Sequence, residues 1–177
     1  MLDAATRVLT ENAAATIPDI AAASGVARAT IYRRFPSREA LLGALVERAL
    51  SEVGEALASA RLGDGSVREA FERLVTELVA VGDRYLFLFT EARRTGPHPV
   101  HNPGAEQLIR DQLVALIERG QRSGELRLDV PASWVTAVLG NVIAAGLLEN
   151  AQRGYGLKET VRLMTTTLMD GLRTAPL

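Results

Sequence analysis

The sequence predicts an all-helical protein, on the basis of its composition and of the spacing of its apolar residues. Hydrophobic residues make up 47% of the chain but aromatic residues only 5%, so the core must consist mainly of Ala, Leu and Val. β-Strands prefer β-branched and aromatic side chains, whereas closely packed helices accept this composition. Apolar residues recur at helical spacing along most of the chain, and polar–apolar alternation never extends beyond a few residues.

Start and stop signals divide the first sixty residues into four predicted helices. Thr16 and Asp19 have the spacing of a capping box, and Gly25 can take the left-handed conformation that ends a helix. Pro36 ends the third helix, and Ser37 can cap the fourth. The predicted helices are 2–11, 17–24, 27–35 and 38–60.

Loops rich in glycine and proline divide the remaining residues. Residues 62–66 contain two glycines and an aspartate, and residues 95–104 contain three prolines and two glycines. Helical spacing predicts helices over 67–94, in which Gly82 could introduce a break, and over 105–123, 132–153 and 157–173. We therefore predict a helix-turn-helix domain of three helices over residues 1–45, followed by a C-terminal helical bundle over residues 46–177 that binds a ligand and dimerises.

Residues 130–148 carry no charged side chain over nineteen positions, which is long enough to cross a bilayer. Pro131, Thr136 and Asn141 interrupt this segment, and a helix covered by its own domain and by a second subunit has the same composition. We therefore expect no membrane span. The chain has no cysteine and no apolar leader, since Asp3 interrupts its start, so we expect a cytoplasmic protein.

Residues 16–38 form the predicted helix-turn-helix, whose second helix enters the major groove of DNA. Ala27, Ile31 and Phe35 share one face of that helix, which we expect to pack on the preceding one. The opposite face and its flanks carry hydrogen-bond donors and positive charge, from Arg28, Ala29, Thr30, Tyr32, Arg33 and Arg34. Four arginines and no acid lie between positions 28 and 38, although the net charge of the chain is −1. Taken alone, the segment could also be a solvated helix hairpin without a DNA function.

Residues 19–42 read Asp-Ile-Ala-x-x-Ser-Gly-Val-x-x-x-Thr-Ile-Tyr-x-x-Phe-x-Ser-Arg-Glu-x-Leu-Leu. This pattern closely resembles the signature of the tetracycline-repressor (TetR) family of regulators, and the resemblance extends from residue 1 to about residue 50. It implies an Ω-shaped homodimer, usually a repressor, which leaves a palindromic operator when a small ligand binds the C-terminal domain.

The resemblance also implies roles for individual residues. Positions that read bases in the family correspond to Arg28, Ala29 and Thr30, and positions that contact phosphates correspond to Thr16, Tyr32, Arg34 and Arg38. The sequence departs from the family in three places. Ala27 replaces the usual Ser or Thr cap, residues 11–20 are about two residues short and lack a Gly–aromatic pair, and no basic arm precedes the first helix.

Aromatic residues concentrate in the C-terminal part of a chain that is otherwise poor in them. We expect an apolar or amphipathic small molecule to bind among Tyr85, Phe87, Phe89 and Trp134, oriented by a buried Asn141. Ordinary core packing is the alternative for each aromatic residue taken singly.

We expect the last two helices to form the homodimer interface, because each carries an apolar stripe. The alternative is that both stripes belong to the core of one subunit. The stripes are Val135, Leu139, Val142 and Gly146 on one helix, and Leu157, Val161, Met164, Leu168 and Leu172 on the other.

The sequence gives no support for catalysis or for a cofactor. It lacks a phosphate-binding glycine loop, a nucleophile elbow and a His-Glu-x-x-His helix. The two histidines, His98 and His101, lie in a proline-rich segment without nearby carboxylates, so we expect a surface loop and not a metal site. The remaining alternative to a ligand-responsive repressor is a DNA-binding architectural protein that senses nothing.

Overall fold

The computed structural model describes residues 1–96 and 103–172, and the regular structure within these ranges is helical throughout. The bounds confirm the predicted helices to within two residues, and the fifth helix runs through Gly82 without a break. The helices are α1 (Leu2–Glu11), α2 (Ile17–Ser24), α3 (Arg28–Arg34), α4 (Arg38–Ala60), α5 (Val67–Thr95), α6 (Pro103–Ser123), α7 (Ala132–Arg153) and α8 (Leu157–Leu172).

Local side-chain caps fix the starts of α2 and α4, as predicted. The Thr16 hydroxyl accepts a hydrogen bond from the Asp19 N–H at 3.4 Å, and the Asp19 carboxylate accepts one from the Thr16 N–H at 2.8 Å. Gly25 ends α2 with a φ of 66°, in the left-handed region that glycine adopts without strain. The Ser37 hydroxyl accepts from the Ala40 N–H at 3.2 Å at the start of α4.

The chain divides into two compact units, and the first is discontinuous in sequence. It comprises Met1–Ser51 together with Arg84–Pro103, so the C-terminal end of α5 belongs with the helix-turn-helix. The Thr10 hydroxyl on α1 donates to the Arg84 carbonyl of α5 at 3.0 Å. Within this unit α1 packs on α2 and α2 packs on α3, around a core of fully buried side chains that includes Leu9, Ile20, Ile31, Leu41 and Leu45.

The second unit comprises Glu52–Asp83 and Gly104–Leu177, and its helices approach one another closely at two glycines. A Cβ at Gly82 on α5 would collide with Leu147 on α7, and a Cβ at Gly146 on α7 would collide with Met164 on α8. Because glycine has no side chain, α5 and α7 can approach each other closely at Gly82. Helix α5 continues through Gly82, since the side chain of Leu147 fills the space beside it.

Arginine side chains order the connection between α4 and α5. Arg73 donates from Nε to the Ala60 carbonyl at 2.7 Å, and from Nη2 to the carbonyls of Arg61 at 3.0 Å and Asp64 at 2.7 Å. Arg119 on α6 donates to two further carbonyls of the same connection at 2.7 and 2.9 Å. The predicted linker is thus a turn held by guanidinium groups.

Candidate nucleic-acid interface

The recognition helix α3 buries one face and exposes the other. Ile31 is fully buried and Phe35 is 7% exposed, and both belong to the core of the first unit, as the helical spacing predicted. Ala27 is exposed, contrary to prediction, because it precedes the first turn as the N-cap and so does not share the helical face. No side chain caps this helix.

The outward face of α3 is basic and open to solvent. Arg28, Ala29, Tyr32, Arg33 and Arg34 are exposed, and Thr30 is half-buried beside them. The helix carries no acidic residue, so its seven residues hold three positive charges. Within the part of the chain that the structure describes, none of the three guanidinium groups forms an ion pair. Their donors are therefore available to phosphates and to base edges.

Thr16 and Tyr32 lie at the edge of this face and line one surface groove, together with Pro18 and Arg38. The hydroxyl of Thr16 also donates to the Asp19 carboxylate at 2.6 Å. Together with the Thr16 N–H, this hydroxyl lowers the pKa of Asp19, which keeps the carboxylate charged at the N-terminus of α2. The capping role of Thr16 is confirmed, and its contact with a phosphate stays a prediction.

The guanidinium group of Arg38 turns toward the protein, and the phosphate contact implied for Arg38 stays a prediction. Nη2 donates to the Ala13 carbonyl at 2.6 Å, Nη1 donates to the Ala15 carbonyl, and Nε lies 3.5 Å from the Glu91 carboxylate of α5. The Arg38 side chain is only 26% exposed. All three nitrogens thus have partners within the first unit, unlike the arginines of α3.

Glu91 is the site residue that the sequence reasoning missed. It is 7% exposed, and it follows the buried Phe87 and Leu88 by four and three residues on α5. An acid at this spacing lies on the buried face of its helix, which requires a charged partner. That spacing was the available signal, but the sequence alone does not identify the partner 53 residues away.

The residues predicted to line a ligand pocket fall into buried and exposed sets. Tyr85 and Phe87 are buried in the first unit, with ring centroids 6.5 Å apart, whereas Phe89 is 41% exposed. In the second unit Trp134 is 64% exposed. Asn141 is exposed, so the expectation of a buried amide was wrong; its Nδ2 donates to the Ala137 carbonyl one turn earlier, at 2.9 Å. His98 and His101 lie outside the described residues.

Four of the nine residues in the apolar stripes predicted for the dimer interface lie in the core of the single chain. Val135 and Leu139 of α7, and Met164 and Leu168 of α8, are at most 5% exposed, because α7 and α8 pack against each other. The alternative reading of these stripes is therefore the correct one for their most buried members. The surfaces left open are the other faces of the two helices, which include Trp134, Val138 and Leu163.

Comparison with known proteins finds a relative that aligns along almost the whole chain. A family model described as "Bacterial regulatory proteins, tetR family" matches residues 1–45. The HTH-type transcriptional repressor LfrR of Mycolicibacterium smegmatis is 31% identical over 176 residues, which cover 99% of this chain and 90% of LfrR. The chain belongs to the TetR family. As a member of the TetR family with this exposed α3 face, it is a DNA-binding transcriptional regulator.

Two further similarities extend along most of the chain. The HTH-type transcriptional regulator NfxB of Pseudomonas aeruginosa is 28% identical over 141 residues, which cover 79% of this chain and 74% of NfxB. The crystal structure of LfrR from Mycobacterium smegmatis in complex with proflavine superposes with a TM-score of 0.75 and 29% identity, covering 99% of this chain and 96% of that chain.

Proposed function

We propose that this TetR-family regulator represses transcription by binding a palindromic operator as a homodimer, and that a small aromatic ligand releases it. The observation that carries the proposal is the outward face of α3, which offers Arg28, Thr30, Tyr32, Arg33 and Arg34 to solvent without a neighbouring acid in the helix. A short helix with this face fits the major groove, where arginine can bind guanine with two hydrogen bonds. Neither catalysis nor a cofactor is part of the proposal.

Self-association is supported by the open surface of α7. This helix is long and apolar enough to cross a membrane, with a mean hydropathy of 1.4 over its most apolar eighteen residues, and only 28% of that window is buried. Trp134 and Val138 lie one turn apart on its open face. An uncharged exposed face of this length is typical of a surface that is buried against a partner. Two-fold pairing with a second copy would bury it and would also supply the symmetry that a palindromic operator requires.

The ligand class is inferred from the relative crystallised with proflavine and from the aromatic pair on α5. Tyr85 and Phe87 are buried next to each other, and aromatic rings of this kind favour flat aromatic ligands over polar ones. We assign Trp134 and Asn141 to the self-association surface, because both are exposed on α7. Proflavine is therefore the first compound to test.

The test begins by selecting bound sequences from a random pool of DNA duplexes with the purified chain. We expect the selected sequences to contain an inverted repeat whose half-sites are one helical turn apart, about 34–36 Å, or a multiple of that distance. Proflavine is then titrated against the complex, with binding followed by fluorescence anisotropy of the labelled operator. Recovery of single half-sites would contradict the dimer, and proflavine binding that leaves operator affinity unchanged would contradict the release step.

Phe87→Ala is the matched variant for the ligand, with Phe89→Ala as its control, because Phe89 is partly exposed on the same helix. We expect only Phe87→Ala to weaken proflavine binding, by about ten-fold, since a buried aromatic contact contributes about 1 kcal/mol beyond its area. Equal affinities for the two variants would exclude the α5 aromatic pair as the ligand site. A wild-type chain that fails to bind proflavine at millimolar concentration would exclude this effector class.

A further inference from the structure

Arg38 holds a segment of backbone in place with two of its three guanidinium nitrogens. The segment is the 12–16 loop, which connects α1 to α2. Two nitrogens of the guanidinium group donate to carbonyls of this loop, at Ala13 and Ala15, and the third lies 3.5 Å from the buried carboxylate of Glu91. A planar guanidinium can make such a set of directed bonds, whereas the ammonium group of lysine cannot reproduce the fork.

Among the described residues, Arg38 is the side chain from outside α1 and α2 that bonds to the backbone of the 12–16 loop. Its three central side chains are alanines, of which only Ala15 is buried. Local hydrogen bonds fix its two ends, from the Asn12 N–H to the Val8 carbonyl at 2.8 Å and from the Thr16 N–H to the Asp19 carboxylate at 2.8 Å. Within the loop, the Ala14 N–H donates to Asn12 Oδ1 at 3.0 Å and the Ala15 N–H donates to the Asn12 carbonyl at 2.9 Å. The loop has no large apolar side chain at its centre, so the two bonds from Arg38 are the contacts that tie its middle to α4.

The end of the loop is the start of α2, the helix that supports α3. Thr16 ends the loop and caps α2, the helix on which α3 packs. A loop that shifts therefore moves the N-terminus of α2 and, through α2, the outward face of α3. The buried Glu91 carboxylate balances the charge of Arg38, which reduces the charge that Arg38 can offer to a phosphate.

The same chemistry occurs in the second unit, where Arg73 uses Nε and Nη2 to hold three carbonyls of the connection between α4 and α5. From these observations we infer that Arg38, held by Glu91, is a positioning residue that sets the 12–16 loop and thereby the DNA-reading surface, in place of the phosphate contact implied by its position in the family. The inference rests on DNA binding through the α3 face.

The variants Arg38→Lys, Arg38→Ala and Glu91→Gln separate the two roles, with Arg34→Lys and Arg34→Ala as matched controls on the exposed face. Lysine replaces arginine well at a simple phosphate contact, so Arg34→Lys should bind the selected operator within about three-fold of wild type. Arg38→Lys should instead lose about ten-fold, because hydrogen bonds from a charged group to the loop are lost.

The salt dependence provides a readout that loss of stability alone does not change. Removing a phosphate contact lowers the slope of log affinity against log salt by about 0.9 for each contact. We expect that decrease for Arg34→Ala and an unchanged slope for Arg38→Ala. Glu91→Gln removes a negative charge, which by simple electrostatics would strengthen DNA binding; we expect it to weaken binding by several-fold, because Arg38 loses its support.

Hydrogen exchange of the free protein completes the experiment. We expect faster exchange at the amides of Ala14, Ala15 and Thr16 in Arg38→Lys and Glu91→Gln, with melting temperatures recorded to show that both variants are folded. Wild-type affinity in Arg38→Lys, or a reduced salt slope in Arg38→Ala, would overturn the inference. If the wild-type chain bound no duplex selectively, the DNA-binding surface would be refuted, while the exchange data would still decide whether Arg38 anchors the loop.

Discussion

Helices α3 and α7 both expose an extended face, yet the chemistry of the two faces is opposite. The open face of α3 belongs to a seven-residue helix that carries three arginines and no acid. The open face of α7 lies within a stretch of nineteen residues without a charged side chain, and it presents Trp134 and Val138. Exposure alone does not identify a partner. The basic face suits a polyanion, whereas the uncharged face suits an apolar surface such as a second copy.

The largest expected effect comes from a charge placed on α7. Val138→Glu should convert the proposed homodimer to monomer, because an unpaired buried charge costs about 3–5 kcal/mol, or a factor of at least about 100 in the dissociation constant. Analytical ultracentrifugation measures the change. Leu108→Glu is the control, since Leu108 is 60% exposed on α6, outside the proposed interface. A Val138→Glu variant that remained dimeric would place the interface elsewhere.

A smaller effect is expected from single arginines on α3, and it differs between them. Arg28→Ala should relax the base preference at one position of each half-site by about 1–3 kcal/mol, because this position corresponds to a base-reading one. Arg34→Ala should weaken binding to all sequences by a similar factor. Affinities for a panel of single-base operator variants distinguish these outcomes. Identical profiles for the two substitutions would mean that α3 does not read the DNA as assigned.

The uncapped N-terminus of α3 offers a stabilising change. Ala27 occupies the N-cap without a side-chain hydrogen bond, so Ala27→Ser should stabilise the protein by about 1 kcal/mol and raise its melting temperature by roughly 2–4 °C. Ala22→Ser is the control, because position 22 is exposed inside α2, where serine gains no capping bond. An Ala27→Ser variant that melts no higher than wild type would show that α3 starts at another residue.

The smallest effect concerns the acid dependence of folding, through Asp19 at the N-terminus of α2. Hydrogen bonds from the Thr16 hydroxyl and N–H lower the pKa of Asp19 below its ordinary value, so folding gains a contribution that is present above the ordinary pKa of an aspartate and is lost as the pH falls through the lowered pKa. Asp19→Asn should flatten that part of the stability profile, measured by denaturant unfolding between about pH 5 and pH 2.5. Equal slopes for wild type and Asp19→Asn would contradict the capping role of Asp19.

Helix bounds could be predicted from the sequence because the signals that set them are local. The capping pair Thr16 and Asp19, the left-handed Gly25 and the stop at Pro36 each act within four residues of the boundary that they fix. The buried face of α3 followed from the spacing of Ile31 and Phe35 in the same way. The fold class and the division of α3 into a buried and an exposed basic face were thus accessible to sequence reasoning.

The direction of a side chain toward a distant partner could not be predicted in this way. Periodicity identified the apolar stripes of α7 and α8, but it did not show that Leu139 and Met164 face the core of the same chain. The inward direction of the Arg38 guanidinium group depends on Glu91, which lies 53 residues away in the sequence. The exposed Asn141 donates its side-chain amide hydrogen bond to a carbonyl of its own helix. Such pairings are non-local, and only the assembled fold determines them.

The central claim is that the outward face of α3 binds DNA selectively. The direct measurement compares the affinity of the wild-type chain and of an Arg28→Ala, Arg33→Ala, Arg34→Ala triple variant for the selected operator and for a scrambled duplex, over a range of salt concentrations. We predict that the wild-type chain prefers the operator by at least about 1,000-fold and that the folded triple variant has lost that preference together with most of the salt dependence. A triple variant that kept the wild-type preference and slope would contradict the account.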